Sequence, residues 1–160
     1  MRVELEVRGL KFKARGLCSF LDSFLGTHSS LLTLEAIMSM YQGGCHCGRV
    51  RFEVTTNFEQ VVECNCSICT KKGFLHLMVD PAQFRLLTAA EQMSLYQFNT
   101  KTAKHYFCSV CGIHSYYIPR SHPDKIDVNV RCLEGVDLQT LTIQPFNGRE
   151  WEKNRHTLDE

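Results

Sequence analysis

The sequence predicts an all-β domain, chiefly antiparallel, behind a short N-terminal extension. Three observations carry that prediction: alternating β-type texture that begins near Met40, many short apolar runs at close spacing, and turn residues between them. Val50, Phe52 and Val54 alternate with Arg49, Arg51 and Glu53, the pattern of a strand with one buried face. Residues 74–79 are almost continuously apolar, as expected of a strand covered on both faces. Residues 95–98, 104–107, 114–118 and 126–130 follow as shorter strands. Gly43-Gly44, Asp80-Pro81, Cys111-Gly112, His122-Pro123-Asp124 and Asn147-Gly148 supply the turns. With 44% hydrophobic and 10% aromatic residues, the 160-residue chain can bury a substantial core.

The chain divides into an extension over residues 1–39, a domain over 40–155 and a tail over 156–160. In the extension Leu17, Phe20, Leu21, Phe24 and Leu25 fall at helical spacing until Gly26 and residues 27–30 break it, so one short helix in an otherwise loosely ordered segment is expected. Arg2, Arg8, Lys11, Lys13 and Arg15 are interrupted by Glu4 and Glu6, which argues against an organelle-targeting helix. A net charge of +1 gives no global reason to expect nucleic acid or an anionic membrane as partner. No apolar run approaches the roughly 18 residues of a membrane span.

Nine cysteines stand out, at 18, 45, 47, 64, 66, 69, 108, 111 and 132. The odd number argues against a disulfide framework. So does residues 17–34, where Asp22, Gly26 and His28 interrupt any continuous secretory core. The expected setting is therefore an intracellular, reducing compartment, cytoplasmic or nuclear. Seven of the cysteines form three clusters: Cys45-His46-Cys47, then Cys64-Asn65-Cys66-Ser67-Ile68-Cys69, then Cys108-Ser109-Val110-Cys111-Gly112. Thiolates one or two residues apart reach the same metal across a tight turn, and Gly112 allows the positive φ that such turns adopt. Zinc is the expected occupant.

Seven sulfurs do not fill two tetrahedral sites. Joining Cys45 and Cys47 with Cys108 and Cys111 makes a closed structural set. Cys64, Cys66 and Cys69 then hold a second zinc with one open position, the catalytic pattern. Spacing alone does not prove this partition, and His46, His76, His105 and His114 are candidates to close the second set. Cys18 and Cys132 are expected to be ordinary thiols, Cys132 in the core of an alternating strand. Trp151 is expected to anchor the C-terminal segment.

The order and flanks of these clusters resemble the glutathione-dependent formaldehyde-activating enzyme family, which also includes centromere protein V. GGCHCGRVRFEV at 43–54, CNCSICTKKG at 64–73, YQFNT at 96–100, HYFCSVCGIHSYYIP at 105–119, VNVRCLEG at 128–135 and FNGREWE at 146–152 carry the resemblance. It implies two small antiparallel sheets knitted by zinc–cysteine sites. It also implies a structural zinc on Cys45, Cys47, Cys108 and Cys111, and a catalytic-type zinc on Cys64, Cys66 and Cys69. The implied activity is of the carbon–sulfur lyase type, acting on a glutathione adduct of formaldehyde or a related aldehyde. His114 is then a candidate proton carrier, and Lys71 and Lys72 are candidates to receive the carboxylates of glutathione. Two alternatives stay open: a lyase for another small thiol adduct, and a non-catalytic zinc-stabilised binding module of the centromere protein V type with chromatin or cytoskeletal partners. Only four prolines and a mixed-charge N-terminus count against the latter.

Overall fold

A computed structural model describes residues 37–158. The expected helix at 17–25, Cys18 and the end of the tail lie outside the described residues. The order of elements is β1 (Ser39–Gly44), β2 (Arg51–Thr56), β3 (Val61–Cys64), α1 (Ser67–Lys72), β4 (Leu75–Val79), β5 (Phe84–Leu86), β6 (Met93–Tyr96), β7 (Lys104–Cys108), β8 (Tyr116–Ile118), β9 (Ile126–Asn129), β10 (Ile143–Phe146) and α2 (Trp151–Asn154), with single 3₁₀ turns between them. No helix among the described residues is long and apolar enough to cross a membrane.

The strands form two sheets, β1-β2-β5 and β10-β3-β4-β9-β8-β7-β6. The all-β, two-sheet expectation holds, with two differences. The second sheet has seven strands rather than few, and its β10–β3 pair is parallel while all other pairs are antiparallel. Pro145 can sit in β10 because β10 is an edge strand, where a missing N–H breaks no ladder.

Alternation sets what each face buries. In β2, Phe52, Val54 and Thr56 point inward. In the larger sheet the register aligns Val61, Leu77, Val128 and Tyr116 on one face. These close with Phe52, Val54, Leu75, Val79 and Val130 into the core between the sheets. Each fully buried aliphatic or aromatic side chain there contributes roughly 1.5–3 kcal/mol. The opposite face of the same sheet carries a different row: Tyr96, His105, Tyr117, Asp127 and Met78 are directly paired across five strands. Val62 and His76 form the adjoining row. His105, Asp127 and His76 are nonetheless buried, so the sheet hides a polar face as well as an apolar one.

Two local expectations change. The Cys64–Cys69 cluster contains a helix, α1, which ends at Gly73 in the left-handed conformation and carries Lys71 and Lys72 in its last turn, where cations complement the helix dipole. Cys132 lies in a 3₁₀ turn after β9, half-buried against the core, and not in a strand. Asn129 caps that turn by accepting the Arg131 N–H, and this ends the alternation early.

Candidate functional site

Cys45 and Cys47 lie in the turn joining β1 to β2, and Cys108 and Cys111 in the turn that leaves β7. The four sulfurs lie within 4.8 Å of one another. Cys45 Sγ is 3.5 Å from Cys47 Sγ, which is 3.6 Å from Cys108 Sγ. These are near the roughly 3.8 Å edge of a tetrahedron with metal–sulfur bonds of ~2.3 Å. The two turns share one construction. Gly48 and Gly112 take φ of 77° and 74°, and amide N–H groups donate to sulfur, Val50 to Cys45 (3.2 Å) and Cys111 to Cys108 (3.5 Å). Burial pushes the Cys111 thiol up, but the N–H groups of Ile113 and Cys47 with the neighbouring thiols outweigh it and bring it down to about 6. All eight cysteines among the described residues are free of disulfides. Because one turn belongs to each sheet, this cluster ties the two sheets together. His46 points to solvent beside it.

The second cluster begins where β3 ends. Cys64 is the last residue of β3, Cys66 precedes α1 and Cys69 lies within it. Without a counter-charge the three thiols share protons. Donation from Cys64 and then Cys69 draws Cys66 down to about 2, while Cys64 and then Cys66 push Cys69 up. A divalent cation would replace those protons, so loading is proton-releasing. The Sγ atoms of Cys64 and Cys69 also lie within 4.8 Å of a ring nitrogen of His76. Thiolates with imidazole form a donor set suited to zinc.

The C-terminal segment is clasped to this cluster. Asn65 Nδ2 donates to Asn147 Oδ1 (3.1 Å), Arg149 N–H donates to Asn65 Oδ1 (3.1 Å), and Asn65 N–H donates to the Phe146 carbonyl (3.2 Å). Gly148 sits so near that a Cβ there would lie 2.3 Å from Cys64 Sγ. Trp151 anchors the segment as expected, its ring edge-on to Phe146 at 5.8 Å and 4.7 Å below the Arg120 guanidinium.

Between the polar sheet face and this segment lies a cavity of about 570 Å³, within the usual range for small-molecule sites. Cys64, Cys66, Cys69, His76, His105, Tyr117 and Asp127 line it from the sheet side, with Phe98, Arg120 and Trp151 from other elements. His105 is stacked between Phe98 (5.6 Å, 19°) and Tyr117 (4.9 Å, 10°). Burial, then the charge of Lys72, lowers it to about 4, so it is a neutral imidazole near pH 7. Burial raises the Tyr117 hydroxyl well above the usual range, reinforced by the Asp127 carboxylate.

The sequence-selected histidine and lysines sit elsewhere. His114 lies behind His105, ring centroids 5.4 Å apart, and lines a separate small void with Lys72 and Phe74. Burial lowers it to about 2. The Lys72 ammonium faces the Phe107 ring at 5.9 Å, and Lys71 is exposed. Neither lysine lines the large cavity. Sequence reasoning passed over Asp127, Tyr117 and Arg120. The first has a legible signal: an acid inside the alternating run 126–130 is an anomaly that a buried partner explains.

Comparison with known proteins adds three findings. A family model described as glutathione-dependent formaldehyde-activating enzyme matches residues 40–147. A Halomonas elongata protein provisionally named a glutathione-dependent formaldehyde-activating enzyme is 33% identical over 82 residues, 46% of this chain and 52% of that protein. The match therefore spans about half the length of that relative. A crystal structure of a Rhodobacter sphaeroides protein superposes with a TM-score of 0.60 at 40% identity, covering 65% of this chain and 97% of that one.

Proposed function

The chain belongs to the glutathione-dependent formaldehyde-activating enzyme family, and from that premise we propose that it makes and breaks the carbon–sulfur bond between glutathione and formaldehyde or a related small aldehyde. The observation that carries this reading is the cavity of about 570 Å³ with three clustered cysteines on its wall. A structural zinc is assigned to Cys45, Cys47, Cys108 and Cys111, and a second zinc to the cluster of Cys64, Cys66 and Cys69.

In the condensation the thiol of glutathione loses its proton and its sulfur forms a bond to the aldehyde carbon. The carbonyl electron pair moves to oxygen, which takes up one proton to give the hydroxymethyl thioether. Zinc at the second cluster would supply positive charge that favours thiolate over thiol. The chain's own residues do the rest. The cavity walls hold the two reactants beside each other in a defined geometry. His105, a neutral imidazole facing the cavity, accepts the proton that the thiol loses and passes it to the oxygen. Arg120 faces the cavity and is proposed to receive a glutathione carboxylate, whereas Lys71 and Lys72 do not line it.

Mixing the zinc-loaded protein with glutathione and ¹³C-formaldehyde and measuring adduct exchange by NMR tests the reading. Exchange should be faster than in protein-free solution. An unchanged rate for formaldehyde and for other small aldehydes would overturn it.

A further inference from the structure

We infer that His76 is a further ligand of the second cluster, beside Cys64 and Cys69, and that Asp127 holds it in the ligating tautomer. The inference rests on the reading above only in that the cluster takes up a metal. It goes beyond the three-cysteine set, because it adds a protein side chain to the donors, while the sulfur of Cys66 lies outside the group formed by Cys64, Cys69 and His76.

Strand register comes first. His76 of β4 lies directly opposite Val62 of β3, and Val62 and Cys64 share a face because strand side chains alternate. The imidazole and the Cys64 sulfur therefore project from the same side of the sheet, on diagonal positions within reach of each other. The Cys69 sulfur is brought to the same point by α1, and all three donors lie within 4.8 Å of one another.

The two ring nitrogens are then distinguished by their partners. Asp127 Oδ2 lies 2.8 Å from His76 Nδ1, and a carboxylate 1% exposed on the same polar face can only accept. Nδ1 therefore carries the proton, and Nε2 presents a lone pair. That nitrogen is buried and has no hydrogen-bond partner. A histidine kept solely for its pairing with Asp127 would leave a desolvated acceptor unsatisfied, which is costly. A cation between Nε2 and the sulfurs satisfies it. Carboxylate, imidazole and metal in line is the arrangement by which proteins orient histidine ligands. The Tyr117 hydroxyl lies 3.5 Å from the same Nδ1, and Tyr117 pairs in register with Asp127.

The test uses the full chain with ¹⁵N-labelled histidine and both zinc ions exchanged for ¹¹³Cd. Two ¹¹³Cd resonances are expected, one of them scalar-coupled to Nε2 of a single imidazole whose Nδ1 is protonated, assigned to His76. His76→Asn should erase that coupling and leave the other resonance unmoved, which also reports that the variant is folded. Asp127→Asn should shift His76 toward the other tautomer, because an amide can donate to Nδ1, and should weaken retention of the second metal against a chelator about tenfold. The coupling in the unsubstituted protein decides the matter even if both variants misfold. Two ¹¹³Cd resonances with no imidazole coupling, or coupling to another histidine, would overturn the inference and leave the proposed reaction standing. The adduct-exchange measurement fails or succeeds independently of it.

Discussion

The first cluster takes its four sulfurs from two similar turns on different sheets, whereas the second takes three from one strand-to-helix turn and finds its nearest further donor on a neighbouring strand. The first has its back to the core, with Cys45 and Cys108 packed against Val50 and with Leu86 and Met93 around them. The second faces the cavity. The same residue type thus serves two ends. Donors contributed by separate sheets would make metal binding part of folding, whereas sulfurs gathered by one local turn, with His76 added from the same sheet, would leave the fold less dependent on the metal.

The comparison breaks most visibly at the first cluster. Cys45→Ser or Cys108→Ser should cost on the order of 5 kcal/mol or more, comparable with the whole stability of a domain. Circular dichroism and metal analysis should show loss of cooperative unfolding together with loss of both metals. Cys66→Ser should do the opposite: the melting curve stays, one metal is lost, and the exchange rate falls by more than the roughly 10–100-fold that removing a ligand's outer partner costs. If Cys66→Ser unfolds the chain as Cys108→Ser does, the distinction between the two clusters fails.

Smaller effects sharpen the contrast. Gly148→Ala pushes a methyl group into Cys64 Sγ, an overpacking of about 1–3 kcal/mol. It should lower affinity for the second metal while leaving the first unchanged, as read by stepwise chelator titration. Arg120→Ala should raise KM for glutathione about tenfold, roughly 1.4 kcal/mol, and leave kcat within twofold. A matching fall in kcat would move Arg120 from holding substrate to acting on it.

The sequence disclosed the β class and the two halves of the first cluster because each is a local pattern. Phe52 and Val54 alternate visibly, and Gly112 marks its turn at φ 74° as its position after Cys111 suggests. Residues 61–64 and 143–146 were not recognised as strands, since Val61 and Phe146 owe their burial to pairing across a long stretch of chain. The polar face was hidden for a related reason. His76 sits inside a run that looks wholly apolar, and only cross-strand register shows that it, Asp127 and His105 point the same way. His114 looked functional from its place after Cys111-Gly112, yet that turn sends it behind the wall.

The clasp between Asn65 and Asn147 joins residues 82 positions apart in the chain, and this sets an order of events during synthesis. Chains emerge from the ribosome N-terminus first, at about 5–20 residues per second. All four donors of the first cluster are out once Cys111 has passed the exit. The segment that seats the Cys64 turn, from Ile143 to Arg149, follows seconds later. Cys64, Cys66, Cys69 and His76 are therefore all out before the first cluster is complete, and their turn stays uncovered until Ile143 to Arg149 arrives to seat it.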